Sequence, residues 1–193
     1  TPAAHDASLV LRAAAAGIVS VGTLNMTEFA YSAIGLNPHY GTPRNPRDAA
    51  VHRSPGGSSS ASGVVVARGL LPIAMGTDTG GSVRIPASFN GVTGYKSSTG
   101  RYPMDGVFPL SRTLDSLGPL ANTAEDCAII DAVLRGVKKP KPAISSLKGR
   151  EFIVPSNVVF DGVEDEVLAN FDRSLSFVSR AGGKIRRKPV PAF

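Results

Sequence analysis

The chain has 193 residues, of which 42% are hydrophobic and 19% charged, and its formal net charge is +6. This composition is typical of a globular domain and excludes a largely disordered chain. No apolar run reaches about 18 residues, so a membrane span is not expected. The single cysteine cannot form a disulfide within the chain, which favours a reducing, cytoplasmic location. The basic clusters at 138–142 and 184–189 lack interleaved aromatic residues, so nucleic-acid binding is not expected.

The N-terminal part predicts two helices and a strand. Asp6 precedes an alanine-rich run that ends before Gly17, which predicts a helix over 6–16 with an acidic cap. The apolar stretch 18–22 predicts a short buried strand. Residues 27–33 predict a second helix, and 36–48, with three prolines, predict a loop.

A glycine- and serine-rich segment follows, and it leads into a strand. Residues 55–70 read "PGGSSSASGVVVARGL": the first half predicts a flexible linker, and the second an apolar helix that ends near Gly69. Residues 71–78 predict a buried strand, and a short helix is expected from Ser82 towards Phe89. Short strands separated by helices predict an α/β fold.

The second half of the chain continues this pattern. Residues 92–98 predict a short strand and 101–121 a loop-rich segment. Thr123, with Asp126 three residues later, predicts a capped helix to about Arg135. Residues 137–146, rich in lysine and proline, predict a linker. Beyond it, 147–155 predicts a strand, 163–183 a helix with one apolar face, and 184–191 another strand.

Several common catalytic and ligand-binding motifs are absent from the sequence. It has no H-E-x-x-H or paired cysteines for zinc, no G-x-G-x-x-G for a dinucleotide, no P-loop lysine and no G-x-S-x-G. The three histidines lie apart from any plausible nucleophile, and Cys127, in a helical apolar pattern, is expected to be a small buried hydrophobe. Neither a metal nor a cofactor is therefore expected, which leaves serine as the candidate nucleophile.

The stretch "MGTDTGGSVRIP", residues 75–86, offers such a serine. A strand that ends near Asp78 would turn through Thr79, Gly80 and Gly81 and deliver Ser82 at the start of a helix. Glycines let the backbone approach a ligand closely, and N–H groups at such a turn can stabilise a developing negative oxygen. Ser82 could therefore attack a carbonyl carbon. Taken alone, the stretch favours the plainer interpretation, a tight turn capped by a serine.

A second motif changes that balance. "PGGSSSASG" precedes "GTDTGGSVRIPASFNGVTGYK", and Ser58 and Ser82 lie 24 residues apart. The two motifs, their order and their separation resemble the amidase signature family, as do "NMTEFAYSAIGLNPHYGTPRNP" before them and "LDSLGPLANTAEDCAIID" after them. The resemblance covers residues 6–136 well and 147 onward more loosely. It implies an α/β/α sandwich around a mixed β-sheet, which would be incomplete in this chain.

The resemblance also implies a serine–cis-serine–lysine triad. Ser82 matches the nucleophile, and Ser58 matches the bridging serine, reached through a cis peptide from Gly57. The backbone of Thr79, Gly80 and Gly81, with Ser82, matches the oxyanion hole. Asp78 and Arg84 flank the turn, and we expect them to pair and brace it as structural support.

The catalytic lysine of the family lies in a strand upstream of the helix that residues 6–16 resemble, so we expect it outside this chain. Lys96 matches a different, non-catalytic position. The chain is accordingly expected to be an internal fragment of one amidase domain, inactive by itself. Its parts would be a core at 1–136, a linker at 137–146 and a strand–helix–strand continuation at 147–193.

Three functions remain open. The first is an amidohydrolase that cleaves a small-molecule carboxamide through an acyl-serine intermediate. The second is the A subunit of the tRNA-dependent amidotransferase, which uses the same triad but needs partner subunits and would bring in a nucleic acid. The third is an inactive remnant of the fold. A homodimer is left open in each case.

Overall fold

The computed structural model describes residues 4–137 and 146–191. The chain divides into two compact units, Thr1–Lys141 and Pro142–Phe193, and each is described by itself. Most of the predicted linker, residues 138–145, lies outside the described residues. No helix in the described ranges is long and apolar enough to cross a membrane.

Within residues 4–137 the first unit has four α-helices and three strands, and within residues 146–191 the second unit has one α-helix and two strands. The helices are α1 Ser8–Ala15, α2 Ser60–Ala67, α3 Arg84–Asn90, α4 Ala124–Leu134 and α5 Asp165–Arg180, and the strands are β1 Ile73–Asp78, β2 Thr93–Gly94, β3 Ser116–Ala121, β4 Glu151–Pro155 and β5 Lys184–Lys188.

The sheet of the first unit has the order β1-β3-β2, and both of its pairings are antiparallel. Leu117 and Leu120 of β3 lie three positions apart, so their side chains face opposite sides of the sheet. Leu117 packs with buried residues of α1 and α4, whereas Leu120 packs with buried residues of α2 and α3. Helices therefore cover both faces of the sheet, in the α/β arrangement that the sequence predicts.

The central strand β3 corrects one prediction, because the sequence predicts a loop-rich segment over 101–121. Every residue of β3 is buried. The strand reads "SLGPLA", and Gly118 and Pro119 are residues that normally argue against a strand interior. Here Gly118 has a structural reason, since any side chain at that position would collide with the carbonyl group of Tyr95.

The N-terminal predictions also need correction. Residues 18–22 form no strand, and Val19 and Val21 are 79% and 71% exposed, because no other described strand pairs with them. Only a single 3₁₀ turn, Glu28–Ala30, forms within 27–33. Helix α1 has no side-chain cap at its own N-cap residue; Asp105, from a distant loop, instead accepts hydrogen bonds from the N–H and hydroxyl of Ser8.

The glycine- and serine-rich segment is not a flexible linker. Residues 55–64 are buried, and neighbouring segments satisfy their backbone groups. Asn90 Nδ2 donates to the Pro55 carbonyl at 2.7 Å, and the N–H of Ala61 donates to the Asn25 carbonyl at 3.1 Å. The small side chains of this segment are what allow it to lie inside the unit. Strand β1, expected to be buried, is only partly so.

In the second unit, β4 and β5 form a parallel pair, with Phe152 opposite Ile185. Helix α5 connects them and contacts β5, as a parallel pair requires a crossover. The three elements lie where the sequence predicts strand, helix and strand, although β5 ends at Lys188, before the predicted residue 191.

Candidate active site

The two serine motifs meet in the first unit. The N–H of Ser59 donates to the carbonyl oxygen of Ser82 at 3.2 Å, so the residue next to Ser58 is bonded directly to the glycine-rich turn. On the other side, the N–H of Thr27 donates to the Ser58 carbonyl at 3.0 Å. The peptide bond between Gly57 and Ser58 is cis, as the resemblance implied.

The turn from Thr79 to Ser82 is organised by Asp78, whose side chain is fully buried. Its carboxylate accepts hydrogen bonds from the N–H groups of Gly81 at 2.8 Å, Val83 at 3.1 Å and Arg84 at 3.3 Å. The Arg84 guanidinium adds a bidentate pair at 3.0 and 2.9 Å. Five donors on one buried carboxylate fix the backbone of the turn against the end of β1.

The same contacts set the charge of the pair. Burial alone would raise the pKa of Asp78, but the hydrogen bonds from the Arg84 side chain and from the N–H groups of Val83 and Arg84 outweigh it, so the pKa lies below its usual value. The hydrogen bond to Asp78 in turn raises the pKa of Arg84. The ion pair therefore stays charged at neutral pH.

Ser82 lies before α3 rather than at its start, which corrects the predicted helix boundary. The helix begins at Arg84, and Gly81 adopts a φ of +135°, a conformation that a side chain would strain. Because the N–H of Gly81 is bonded to Asp78, it is not directed at a ligand. Within the described ranges, the N–H groups of Gly80 and Ser82 donate no hydrogen bond.

A cleft of about 310 Å³ opens beside this turn. Thr79, Gly80 and Ser82 line the cleft together with Tyr31 and Leu110, and none of the described residues that line it is charged. The larger cavity of about 530 Å³, beside His52 and Phe89, includes none of the predicted site residues. The cleft at Ser82 is therefore the one that could present a neutral substrate to the predicted nucleophile.

Ser58 and Thr27 carry buried hydroxyl groups at this site. Ser58 is fully buried and Thr27 is 6% exposed, and neither hydroxyl oxygen has a hydrogen-bond partner among the described residues. Buried polar groups are normally hydrogen-bonded, so these two mark a place where a further polar group would fit. Lys96 does not supply it, since its ammonium donates to the Ser97 carbonyl at 3.0 Å.

Two residues at the site have contacts that the sequence does not predict. Thr27 falls in a segment predicted as a helix with no part in the chemistry. Asp115 belongs to a longer stretch of family resemblance, yet its carboxylate accepts a hydrogen bond from the Thr79 hydroxyl at 2.5 Å. A contact that spans 36 residues has no local sequence pattern, and only the pairing of β1 with β3 brings the two residues together.

Cys127 lies away from the turn, as predicted for a buried hydrophobe. It is 3% exposed, and burial, with a smaller contribution from Asp126, raises the pKa of its thiol to about 11. Within residues 4–137 and 146–191, no group of three or more His, Cys, Asp or Glu residues is arranged to hold a metal ion.

A sheet covered by helices on both faces, with two serine motifs joined beside a glycine-rich turn, agrees with the resemblance of those motifs to the amidase-signature class of α/β proteins. The chain belongs to the Amidase family, whose model matches residues 1–160.

Relatives of known name share much of its sequence. It is 41% identical to 2-amino-5-chloromuconic acid deaminase of Comamonas testosteroni over 177 residues, and this aligned region covers 91% of this chain and 38% of the relative. It is 50% identical over 140 residues to the A subunit of glutamyl-tRNA(Gln) amidotransferase of Cupriavidus taiwanensis, covering 72% of this chain and 27% of that protein. The chain thus spans less than half the length of these relatives.

Solved structures give the same result. A crystal structure of an amidase superposes with a TM-score of 0.87 at 36% identity, over 99% of this chain and 43% of the other. The A subunit of glutamyl-tRNA(Gln) amidotransferase of Thermotoga maritima superposes with a TM-score of 0.86 at 32% identity, over 97% of this chain and 44% of that one. These structures support the α/β fold of the amidase-signature family for this chain.

Proposed function

We propose that this chain carries the serine pair of an amidohydrolase, in which Ser82 attacks the carbonyl carbon of a small-molecule carboxamide. The observation that carries the proposal is the hydrogen bond from the Ser59 N–H to the Ser82 carbonyl at 3.2 Å. It joins the segment that holds Ser58 to the turn that holds Ser82, beside a cleft. Two serines held in this way suit acyl transfer, because one can attack while the other relays a proton.

The reaction proceeds through an acyl-serine. Ser82 Oγ forms a bond to the carbonyl carbon, and the oxygen becomes negatively charged. The N–H groups of Gly80 and Ser82, which donate no hydrogen bond among the described residues, stabilise that oxygen, and Thr79 and Gly81 supply the backbone that holds them. The C–N bond then breaks, the nitrogen leaves with a proton, and water releases the acid from Ser82.

The proton of Ser82 needs a base. In this proposal Ser58 relays it to a lysine outside the chain, the position that the family resemblance implies. The buried hydroxyl of Ser58, with no hydrogen-bond partner among the described residues, supports a further polar group beside it. Such a lysine must be neutral to accept a proton, and burial lowers a lysine pKa in that direction.

Asp78 and Arg84 take a structural part in the proposal. All five hydrogen bonds to the Asp78 carboxylate come from its own turn and helix α3, and these contacts keep the turn in one conformation. The pair therefore positions Ser82 and the N–H groups without contacting the reacting atoms.

The second candidate is the A subunit of a tRNA-dependent amidotransferase. The 50% identity to a protein of this kind over 140 residues favours it, and it would use the same serines to release ammonia for a partner subunit. Steady hydrolysis of small amides without partner or tRNA would support the amidohydrolase. The cytoplasmic location and a homodimer stay predictions under either function.

A fluorophosphonate probe followed by peptide mapping, applied to a protein extended upstream to include the lysine, tests the role of Ser82. We expect the label on Ser82, its loss in Ser82→Ala and slower labelling in Ser58→Ala. Ser98→Ala, at an exposed serine away from the turn, is the control and should label as the parent does. A label on another serine, with Ser82 unmodified, would contradict the proposal. No turnover by a protein extended upstream to include the lysine would support the inactive remnant.

A further inference from the structure

Asp115 joins the glycine-rich turn to a second segment that lines the cleft. The residue is 7% exposed. Its Oδ1 accepts the hydrogen bond from the Thr79 hydroxyl at 2.5 Å, and its Oδ2 accepts from the N–H groups of Leu110 at 2.9 Å and Ser111 at 3.0 Å. Thr79 and Leu110 both line the cleft, so one carboxylate binds two of the segments that form this cleft.

The three donors explain why an acidic residue stands here. A hydroxyl and two backbone N–H groups converge on two oxygens, and only an ionised carboxyl accepts at both without offering a proton in return. An asparagine could keep these contacts only by reversing the Thr79 bond, with its NH₂ group donating to the hydroxyl oxygen, whereas an alanine removes both acceptors. Among the described residues no lysine or arginine forms a salt bridge with Asp115, so its side-chain partners are the Thr79 hydroxyl and the N–H groups of Leu110 and Ser111.

The position of Thr79 makes this contact relevant to the chemistry. Asp78 fixes the C-terminal part of the turn, through Gly81, Val83 and Arg84. At the N-terminal end of the turn, the Thr79 hydroxyl donates to Asp115 instead. Gly80, whose N–H is a proposed oxyanion donor, lies between the two anchored parts.

We propose that Asp115 is a positioning residue. Through the Thr79 hydroxyl it fixes the N-terminal end of the glycine-rich turn, and through Leu110 and Ser111 it sets the width of the cleft. The inference rests on the proposed function of Ser82. Since Asp115 acts through other residues, its loss should slow the reaction of Ser82 without removing any reacting group.

Two measurements test the proposal: hydrogen exchange on this chain, and labelling of Ser82 by a fluorophosphonate in a protein extended upstream to include the lysine. Asp115→Ala should speed exchange in peptides covering 79–83 and 110–111, and slow labelling about 10- to 100-fold, the scale of misplacing a catalytic group. Thr79→Val should speed exchange only at 79–83 and slow labelling similarly. Thr79→Ser, which keeps the hydroxyl, should regain most of the labelling rate lost in Thr79→Val.

The double variant separates positioning from general stability. In a Thr79→Val background, Asp115→Ala should slow labelling less than it does in the parent, because the bond from Thr79 to Asp115 is already broken. Asp105→Ala is the matched control: Asp105 also accepts a backbone and a hydroxyl donor, but at α1, and it should leave labelling unchanged.

Two results would overturn the proposal: unchanged exchange at 79–83 in Asp115→Ala, or parent-like labelling in Thr79→Val. If Asp115→Ala unfolds the chain, the two Thr79 variants still decide. If the parent Ser82 takes no label, the proposed function fails, whereas the exchange data still decide whether Asp115 fixes the turn.

Discussion

Ser59 donates its backbone N–H to the carbonyl oxygen of Ser82 at 3.2 Å, and this bond turns two motifs that are distant in sequence into one site. The side chain of Ser59 packs closely against Gly76 of strand β1. The glycine thus lets the serine-rich segment lie directly on the strand that leads into the turn.

Gly76→Ala should therefore destabilise the fold. A methyl group there would collide with the Ser59 side chain and meet Val83 Cγ2 at 3.1 Å, and overpacking of this kind costs about 1–3 kcal/mol. Urea unfolding would measure the loss. Gly80→Ala is the matched control, since an added methyl group meets nothing within 4 Å there; equal losses in the two variants would contradict the close seating of Ser59.

The sequence predicts elements whose contacts are local better than those that depend on distant partners. Thr123 caps α4 as expected, its hydroxyl accepting the Asp126 N–H at 3.1 Å, because a capping box lies within four residues. The prediction of a strand at 18–22 is wrong, because an apolar run favours a strand but does not show whether a second strand is available to pair with it. Strand β3 is not predicted because Gly118 and Pro119 argue against it locally, while pairing on both sides stabilises it.

The candidate site follows the same division. The glycine-rich turn and the nearness of Asp78 to Arg84 can be read from one short stretch. The contact of Ser59 with Ser82, the buried hydroxyl of Thr27 and the bond from Thr79 to Asp115 all join separate segments. Only the folded chain reveals them.

Asp78→Ala should cost more stability than Arg84→Ala. Removing the buried carboxylate leaves the N–H groups of Gly81, Val83 and Arg84 without their acceptor, at about 3 kcal/mol or more. Arg84 is half exposed. When its side chain is removed, the three N–H groups still stabilise the Asp78 carboxylate, so we expect a loss of about 1 kcal/mol in the free energy of unfolding. Chemical denaturation of both variants compares them, and the reverse order would show that the ion pair, rather than the backbone donors, holds the turn.

Asp131→Asn should lower stability at neutral pH by about 2 kcal/mol. Asp131 accepts a bidentate pair from Arg101 at 2.5 and 2.7 Å, and the Tyr102 hydroxyl at 2.7 Å. The bonds from Arg101 lower the pKa of Asp131, burial opposes them, and the bond from Tyr102 adds to the lowering.

The pH dependence of that loss follows from the direction of the shift. A carboxyl whose pKa is lowered by folding contributes stability that is full above its unfolded pKa of about 3.9 and is lost as pH falls through the folded pKa. The difference between parent and Asp131→Asn should thus be constant from about pH 7 to 5 and shrink below about pH 4. Urea unfolding against pH measures it, with Asp6→Asn at an exposed site as control. A difference that grows on acidification would contradict this assignment.

Cys127 should be almost unreactive in the folded chain. At pH 8 a thiol with a pKa of about 11 is ionised in about one molecule in a thousand, and at 3% exposure the sulfur is closed to reagents. The sulfur also lies 3.8 Å from the carbonyl oxygens of Thr93 and Pro119, so α4 must move away from the sheet before a reagent reaches it. We expect Ellman's reagent to modify the native chain only as fast as this part opens, and to react at once in urea. Cys127→Ala is the blank, and rapid modification of the native chain would show that α4 does not hold its place against β2 and β3.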